Sequence, residues 1–323
     1  MKAGERGAAL LSVLLLVALI ATLAAMAMDR LTLATRLSGN ARAIDQARGY
    51  ALGAENLATL IVDRISDRKL GEASLPPGWA GQVRTIPVEG GLIRARLGDG
   101  GSCFNLNSLV RGSQLIGFTA RPDMMERLAR LMLSVGVQPD RVPALVAAIA
   151  DWIDSDDRPL PHGAEDDAYR EASIPYRVAN TLMADVSELR TVSGMTPQLY
   201  RAMRPWVCAL PVAEPAALNV NILPVERAAL LAALYGDRLP VAQAAAVLRG
   251  RPVAGWSSLD EFQRVLPAGP AGTAGLGGDL AVRSRWFTLE LDVTLDGAQV
   301  KEVALIDGGI APSRVVTRAW GNR

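Results

Sequence analysis

Residues 7–28 read GAALLSVLLLVALIATLAAMAM, and none of them carries a charge. A cleaved secretory signal has an apolar core of about 7–15 residues and then a small-residue cut site. This run is longer, close to the ~20 residues that a membrane-spanning helix needs. The small residues of AAMAM leave cleavage near Met28 open as an alternative. The helical pattern, however, continues past Met28. In DRLTLATRLSGNARAIDQARGYALGAENLATLIVDRI (29–65), Leu31, Leu33, Ala34, Leu37, Ala41, Ile44, Ala47, Ala51, Ala54, Leu57, Leu60 and Ile61 recur mostly at helical spacing. That is the stripe of an amphipathic helix. No proline interrupts residues 1–75, and Gly39, Gly49 and Gly53 are the weak points. The simplest reading is one long helix. It is apolar all round over 8–28 and amphipathic over 29–73, and SLPPGWAG (74–81) ends it.

The head of this helix, KAGERG followed by AALLSVLLLVALI, resembles a type IV pilin-like leader. The resemblance implies a leader of residues 1–7 and a cut after Gly7 by a prepilin peptidase. The mature chain would then start at a methylated Ala8 and keep the apolar run. Most such proteins carry glutamate at the fifth mature position, to pair with the terminal amine of the subunit added before. Here that position is Ser12. An unpaired carboxylate within the bilayer costs about 2.5–3.5 kcal/mol on insertion scales. A subunit with none ahead of it has no such amine to meet, so Ser12 points to the first-placed, tip position. Charge alone does not orient the segment. Lys2 and Arg6 precede it, and Arg30, Arg36 and Arg42 follow. The leader resemblance places the amino terminus inside.

The whole chain has 323 residues, room for one large domain or two ordinary ones. Its 34 basic and 33 acidic residues leave a net charge of +1, unlike a protein with a broad nucleic-acid-binding surface. The single histidine, His162, lies in the turn-like RPLPHGAEDD and reads as an exposed loop residue, so no catalytic triad is expected. Two cysteines, Cys103 and Cys208, form either a bridge, as an even count in an exported protein suggests, or two separate buried thiols. With one histidine and no paired cysteines, zinc is not expected.

After the helix, QVRTIPV and GLIRARL read as two short strands around the turn EGG. Near the other end, RWFTLELDVTLDGAQVKEVALI alternates polar and apolar residues about a DG turn, which makes a hairpin. The stretch between is mostly helical by pattern. It includes RPDMMERLARLMLSVGV, VPALVAAIADWID, PVERAALLAALYG, PVAQAAAVLRG and SSLDEFQRV. GPAGTAGLGGD (269–279) leads back to the strands as a flexible connector. The expected class is therefore α+β. A long N-terminal helix and a small antiparallel sheet (74–107 and 281–323) are split by a large helical insertion (108–280).

DWIDSDDRPLPHGAEDDAYR holds seven carboxylates: Asp151, Asp154, Asp156, Asp157, Glu165, Asp166 and Asp167. Carboxylates crowded in this way favour either full solvation or a hard cation, and Ca²⁺ takes about six to eight oxygens in flexible geometry. Asp154, Asp156 and Glu165 match positions 1, 3 and 12 of an EF-hand loop. Arg158 and Pro159 stand where that loop needs a ligand and a glycine, so it is not an EF-hand. A solvated acidic turn and a calcium loop of another kind both remain. The carboxylate pairs do not read as acid–base catalysts, and no enzyme is expected. SELRTVSGMTPQLYRAM (187–203) resembles a helix-hairpin-helix, with Thr196 placed to cap a helix beginning at Pro197. DNA-binding versions hold a phosphate there and carry flanking lysines, which are absent here. A helical packing unit is favoured over a membrane-anchored DNA-uptake protein.

Taken together, the leader with RGAALLSVLLLVAL, CFNLN (103–107), ADWIDSDDRPLPHGAEDDAY (150–169), SELRTVSGM (187–195), VCALP (207–211) and LNVN (218–221) resemble the minor pseudopilin K family of type II secretion systems. Near LNVN the family commonly continues with Thr-Ala, whereas Ile222 and Leu223 follow here. The resemblance implies a pilin-like fold with a helical insertion and a disulfide between Cys103 and Cys208. It also implies calcium held by Asp154, Asp156, Glu165 and Asp166, with Asp151 and Asp157 as further ligands. The expected role is mechanical. The protein would span the inner membrane once, with its C-terminal domain in the periplasm. It would cap a pseudopilus with minor pseudopilins I and J above H and the major pseudopilin G. The tip would face secreted substrate or the outer-membrane secretin, without nucleic acid.

Overall fold

The first element follows directly from the uninterrupted helical pattern. In a computed structural model that describes residues 3–66, 81–171, 174–266 and 278–321, with side chains from residue 10, α1 runs from Ala3 to Ser66. At about 1.5 Å per residue it is about 96 Å long. Gly39, Gly49 and Gly53 do not break it. The expected stop at SLPPGWAG and most of the 269–279 connector lie outside the described residues.

Two strands, β1 (Val83–Val88) and β2 (Gly91–Asp99), follow α1, and the chain then leaves the sheet. It passes through β3 (Phe104–Asn105), β4 (Val110–Ser113), β5 (Gly117–Ala120), α2 (Pro122–Ser134), α3 (Val142–Ile153), α4 (Asp166–Arg170) and α5 (Pro197–Met203). Next come β6 (Val207–Cys208), β7 (Leu218–Asn219), α6 (Ala228–Tyr235), α7 (Val241–Arg249), α8 (Leu259–Arg264) and β8 (Leu280–Ala281). The chain returns to the sheet as β9 (Trp286–Leu295), β10 (Ala298–Asp307) and β11 (Arg314–Trp320). The order β1-β2-β9-β10-β11 is antiparallel throughout, so the insertion enters and leaves between neighbouring strands β2 and β9.

The hairpin expected from the DG dipeptide joins β9 to β10. Asp296 and Gly297 both have positive φ (47° and 83°), the backbone that a two-residue hairpin turn demands. Leu289, Leu291 and Val293 of β9 bury one face against α1, together with Ile93, Leu97, Ala304 and Ile306. From α1 the buried side is Ala47, Ala51, Ala58, Val62 and Ile65. The alanines let the helix axis approach the sheet closely. The stripe therefore differs from the one read in the sequence. Leu57 and Leu60 are 51% and 56% exposed, because the sheet covers only the narrow face that Ala51, Ala58 and Val62 share. From Leu10 to Arg42 none of the described residues covers α1, which is the one candidate membrane span among them, with mean hydropathy 2.7 over 18 residues. β11 was not expected from the sequence. Its burial is only partial, so its period-two signal is weak.

The insertion has its own core, built from Leu106, Leu109, Leu128, Leu131, Ile149 and Leu231 among others. Local chemistry sets its helix starts. Pro122 and Pro197 sit in first turns, Thr196 Oγ1 accepts the Leu199 N–H at 3.2 Å, and Ser258 Oγ accepts that of Glu261 at 3.2 Å. The first arm of the proposed helix-hairpin-helix is a 3₁₀ turn, Val186–Thr191, closed by a capping box of Asp185 and Glu188. Arg285, immediately before β9, ties the start of that strand to the end of β10. It donates to both Asp307 oxygens at 3.1 and 3.0 Å and lies 4.6 Å from the Trp286 ring centre.

Candidate functional site

The acidic loop begins inside the last turn of α3. Asp151 is buried there, and its carboxylate turns back to accept the backbone N–H of Ala164 at 2.7 Å and of Leu160 at 3.1 Å. This tie draws residues 160–164 onto the helix end. Gly163 is needed at the crossing, because a Cβ there would stand 1.8 Å from Asp151 Oδ2. The remaining acids fall into two groups. Asp156 accepts the Arg158 N–H at 2.9 Å, Asp157 accepts from Asn180 Nδ2 at 3.3 Å, and Asp166 accepts the Val178 N–H at 3.1 Å and pairs with Arg170 at 3.1 Å. Asp154 and Glu165 are different. Both are buried, and Asp154 Oδ1 and both Glu165 oxygens have no hydrogen-bond partner.

Burial and mutual repulsion raise these acids together. Asp154 is pushed up to about 8 by burial and then by Asp156, Asp151 and Glu165. Glu165 reaches about 7 through burial and the charges of Asp151, Asp156, Asp157 and Asp166. Asp151 reaches about 6, raised by burial and Asp156 against the lowering effect of its two backbone donors. Such a cluster stores uncompensated negative charge, which either protons or a hard cation must neutralise. Among the described residues, no three His, Cys, Asp or Glu side chains converge as a ready ligand set. Still, the unspent oxygens of Asp154 and Glu165 fit the oxygen chemistry of Ca²⁺. Sequence reasoning missed Asn180, whose buried Oδ1 is also unpartnered while its Nδ2 touches Asp157. Its signal was faint, a lone asparagine 23 residues away from Asp157. His162 is exposed at the loop tip with φ 68°.

A second constellation lies around the cysteines. Cys103 and Cys208 are joined by a disulfide across 105 residues. It sits where β3 pairs in parallel with β6, Phe104 opposite Val207 and Asn105 opposite Cys208. Two buried asparagines brace that joint. Asn105 Nδ2 donates to Val212 O and Glu214 O at 2.9 and 2.8 Å, and its Oδ1 accepts the Leu210 N–H at 2.9 Å. Asn107 Nδ2 donates to Met183 O and Leu210 O at 2.9 and 2.7 Å, and its Oδ1 accepts the Met183 N–H at 2.8 Å. Asn221 of the LNVN stretch plays a similar part, bridging Trp256 and the Val282 carbonyl.

Two profiles described as type II secretion system (T2SS) protein K match residues 102–212 and 218–283, the region that holds both constellations. The chain is 36% identical over 324 residues to the type II secretion system protein K of Pectobacterium carotovorum subsp. carotovorum, covering 99% of this chain and 98% of that one. The chain belongs to the protein K family of type II secretion systems. Protein K of Klebsiella pneumoniae is similar too, at 37% over 320 residues, covering 98% and 97% of the two chains. In three dimensions the fold resembles a chain of the solved GspK–GspI–GspJ complex from enterotoxigenic Escherichia coli. The TM-score is 0.74 and the identity 30%, covering 86% of this chain and 97% of that one. The α+β fold expected from the sequence is the protein K fold, and the chain is a minor pseudopilin of type II secretion. Within the helix-hairpin-helix-like stretch, Arg190 lies over the Tyr200 ring at 5.8 Å.

Proposed function

We propose that this minor pseudopilin stands at the tip of a periplasmic pseudopilus, seated on minor pseudopilins I and J. The observation that carries the reading is the likeness to a chain solved within a GspK–GspI–GspJ complex over nearly that chain's full length. H and the major pseudopilin G would lie below. The uncovered apolar part of α1 would anchor the protein in the inner membrane before assembly and then pack among neighbouring helices. Ser12, with no carboxylate to offer a preceding amine, fits a subunit that has none above it. The bulk of the insertion between β2 and β9 would block further addition on that side and present a surface to secreted substrate or to the secretin. The role is mechanical, and no catalysis is assigned. Co-expression with the I and J proteins of the same system is expected to yield a defined ternary complex. Within it, protein K should begin, by mass, at a methylated Ala8 after prepilin peptidase has cut at Gly7. Recovery of this chain without I and J under conditions where those two associate would refute the tip assignment.

The acidic loop is proposed to hold structural calcium through Asp154 and Glu165, with Asp156, Asp157 and Asn180 close by. Asp151 and Asp166, both among the expected ligands, are already engaged by backbone donors, and Asp166 by Arg170 as well. Bound calcium would supply the positive charge that the crowded carboxylates lack. A ligand at 100 times its dissociation constant stabilises by about 2.7 kcal/mol. Chelation is therefore expected to lower the melting temperature of the full chain by several degrees, and added Ca²⁺ to restore it. The Asp154→Asn variant should lose this response. A melting curve indifferent to chelator would count against the site.

A further inference from the structure

The joint between α1 and the sheet contains a charge imbalance. Glu55 of α1 and Glu302 of β10 face one another in the interior, with side chains 4% and 0% exposed. A single arginine, Arg318 of β11, serves both. Its Nε donates to Glu55 Oε1 at 2.6 Å, and its Nη2 bonds Glu55 Oε2, so the fork is spent on Glu55. Glu302 gets only an ion-pair contact, Oε1 to Arg318 Nε at 3.4 Å, and neither of its oxygens has a hydrogen-bond partner.

Among the described residues, no other ion pair to Glu55 or Glu302 is made. On β9 the register partner of Glu302 is Leu291, which is apolar, and on β11 it is Trp320. Val300 and Ala304 flank Glu302 on its own strand face. Arg48 of α1 lies over the Trp320 ring at 5.9 Å and pairs with Asp45 at 3.8 Å. Two buried carboxylates against one guanidinium leave a net charge of −1 at a largely buried site, where an unpaired ion is very costly.

We propose that Glu55 and Glu302 share one proton in the folded protein at neutral pH, and that this proton lets the sheet close on α1. The proton bridges the facing carboxyl oxygens and passes to water when lost, which leaves two negative charges on one arginine. The energetics agree in sign. Burial, and then the Glu55 carboxyl beside it, push Glu302 up to about 8. Burial also raises Glu55, but the Arg318 hydrogen bonds and charge outweigh it and hold Glu55 below its ordinary value. A carboxyl raised in the folded state contributes stability that is full below its unfolded value, 4.5, and falls away as pH rises to about 8. The attachment of the head to its long helix is therefore loosened by alkali.

The test uses the full chain in detergent micelles. Glu302→Gln mimics the protonated form and keeps its shape. Between about pH 5 and pH 8 the wild-type melting temperature should fall relative to this variant by at least about 2–4 °C. Infrared spectra at pH 7 should show a protonated-carboxyl C=O band that Glu302→Gln removes. Should that variant not fold, Glu55→Gln serves instead. It frees the Arg318 fork for Glu302 and should likewise abolish the band and the relative slope. Parallel pH profiles for wild type and variant, or a spectrum in which neither variant loses intensity, would overturn the shared proton.

Discussion

Replacing both Cys103 and Cys208 by alanine is expected to lower the stability of the folded chain by about 4–5 kcal/mol. The reason lies in the unfolded chain. The bridge spans 105 residues, so breaking it releases the closure entropy of nearly the whole first half of the insertion. Within the folded state, the two-residue pairing of β3 with β6 is too short to hold that joint by itself. Either single variant should lose as much as the double, since each removes the bridge. A reductant should reproduce the loss in the wild type and leave the double variant unchanged. Thermal melts of the full chain would show the effect as a drop of about 10–15 °C. A melting temperature insensitive to reductant would refute it.

Asn107→Ala is expected to cost about 3–5 kcal/mol, although it removes only a small polar side chain. Asn107 is fully buried and satisfies three backbone groups at once: the Met183 and Leu210 carbonyls and the Met183 N–H. Each group left without a partner in the interior costs about 1–3 kcal/mol. Asn107→Asp makes the stronger test. It has the same shape, but it aims acceptor oxygens at two carbonyls and buries a charge, so it should be worse than alanine. Denaturant unfolding would order the three proteins as wild type, alanine, aspartate. A loss under about 1 kcal/mol for alanine, or aspartate equal to wild type, would show that the clip does not brace the joint.

These two expectations mark the line between what was readable and what was not. The cysteines stood out by their number, and the pairing implied by family resemblance is the one formed. Asn105 and Asn107 could be quoted as part of CFNLN, but nothing local told them from surface asparagines. Their partners, Met183, Leu210, Val212 and Glu214, lie more than 70 residues away. The acidic loop shows the same division. Its crowding was plain from spacing, yet the split between Asp151, spent on backbone N–H groups, and Asp154 and Glu165, left unspent, depends on how residues 160–165 fold back.

The sequence by itself determined the long helix, the β9–β10 hairpin with its Asp-Gly turn, the helix starts at Pro122 and Thr196 and the apolar segment. All of these rest on periodicity or on the dihedral preferences of adjacent residues, which are local. Only the tertiary structure decided which stripe of α1 meets the sheet, that β11 adds a fifth strand, and that Asn180 comes back to the acidic loop. It alone brought Glu55 against Glu302, 247 positions apart by their numbering, with one arginine between them. Burial and charge balance are sums over neighbours in space, and a one-dimensional pattern does not carry them.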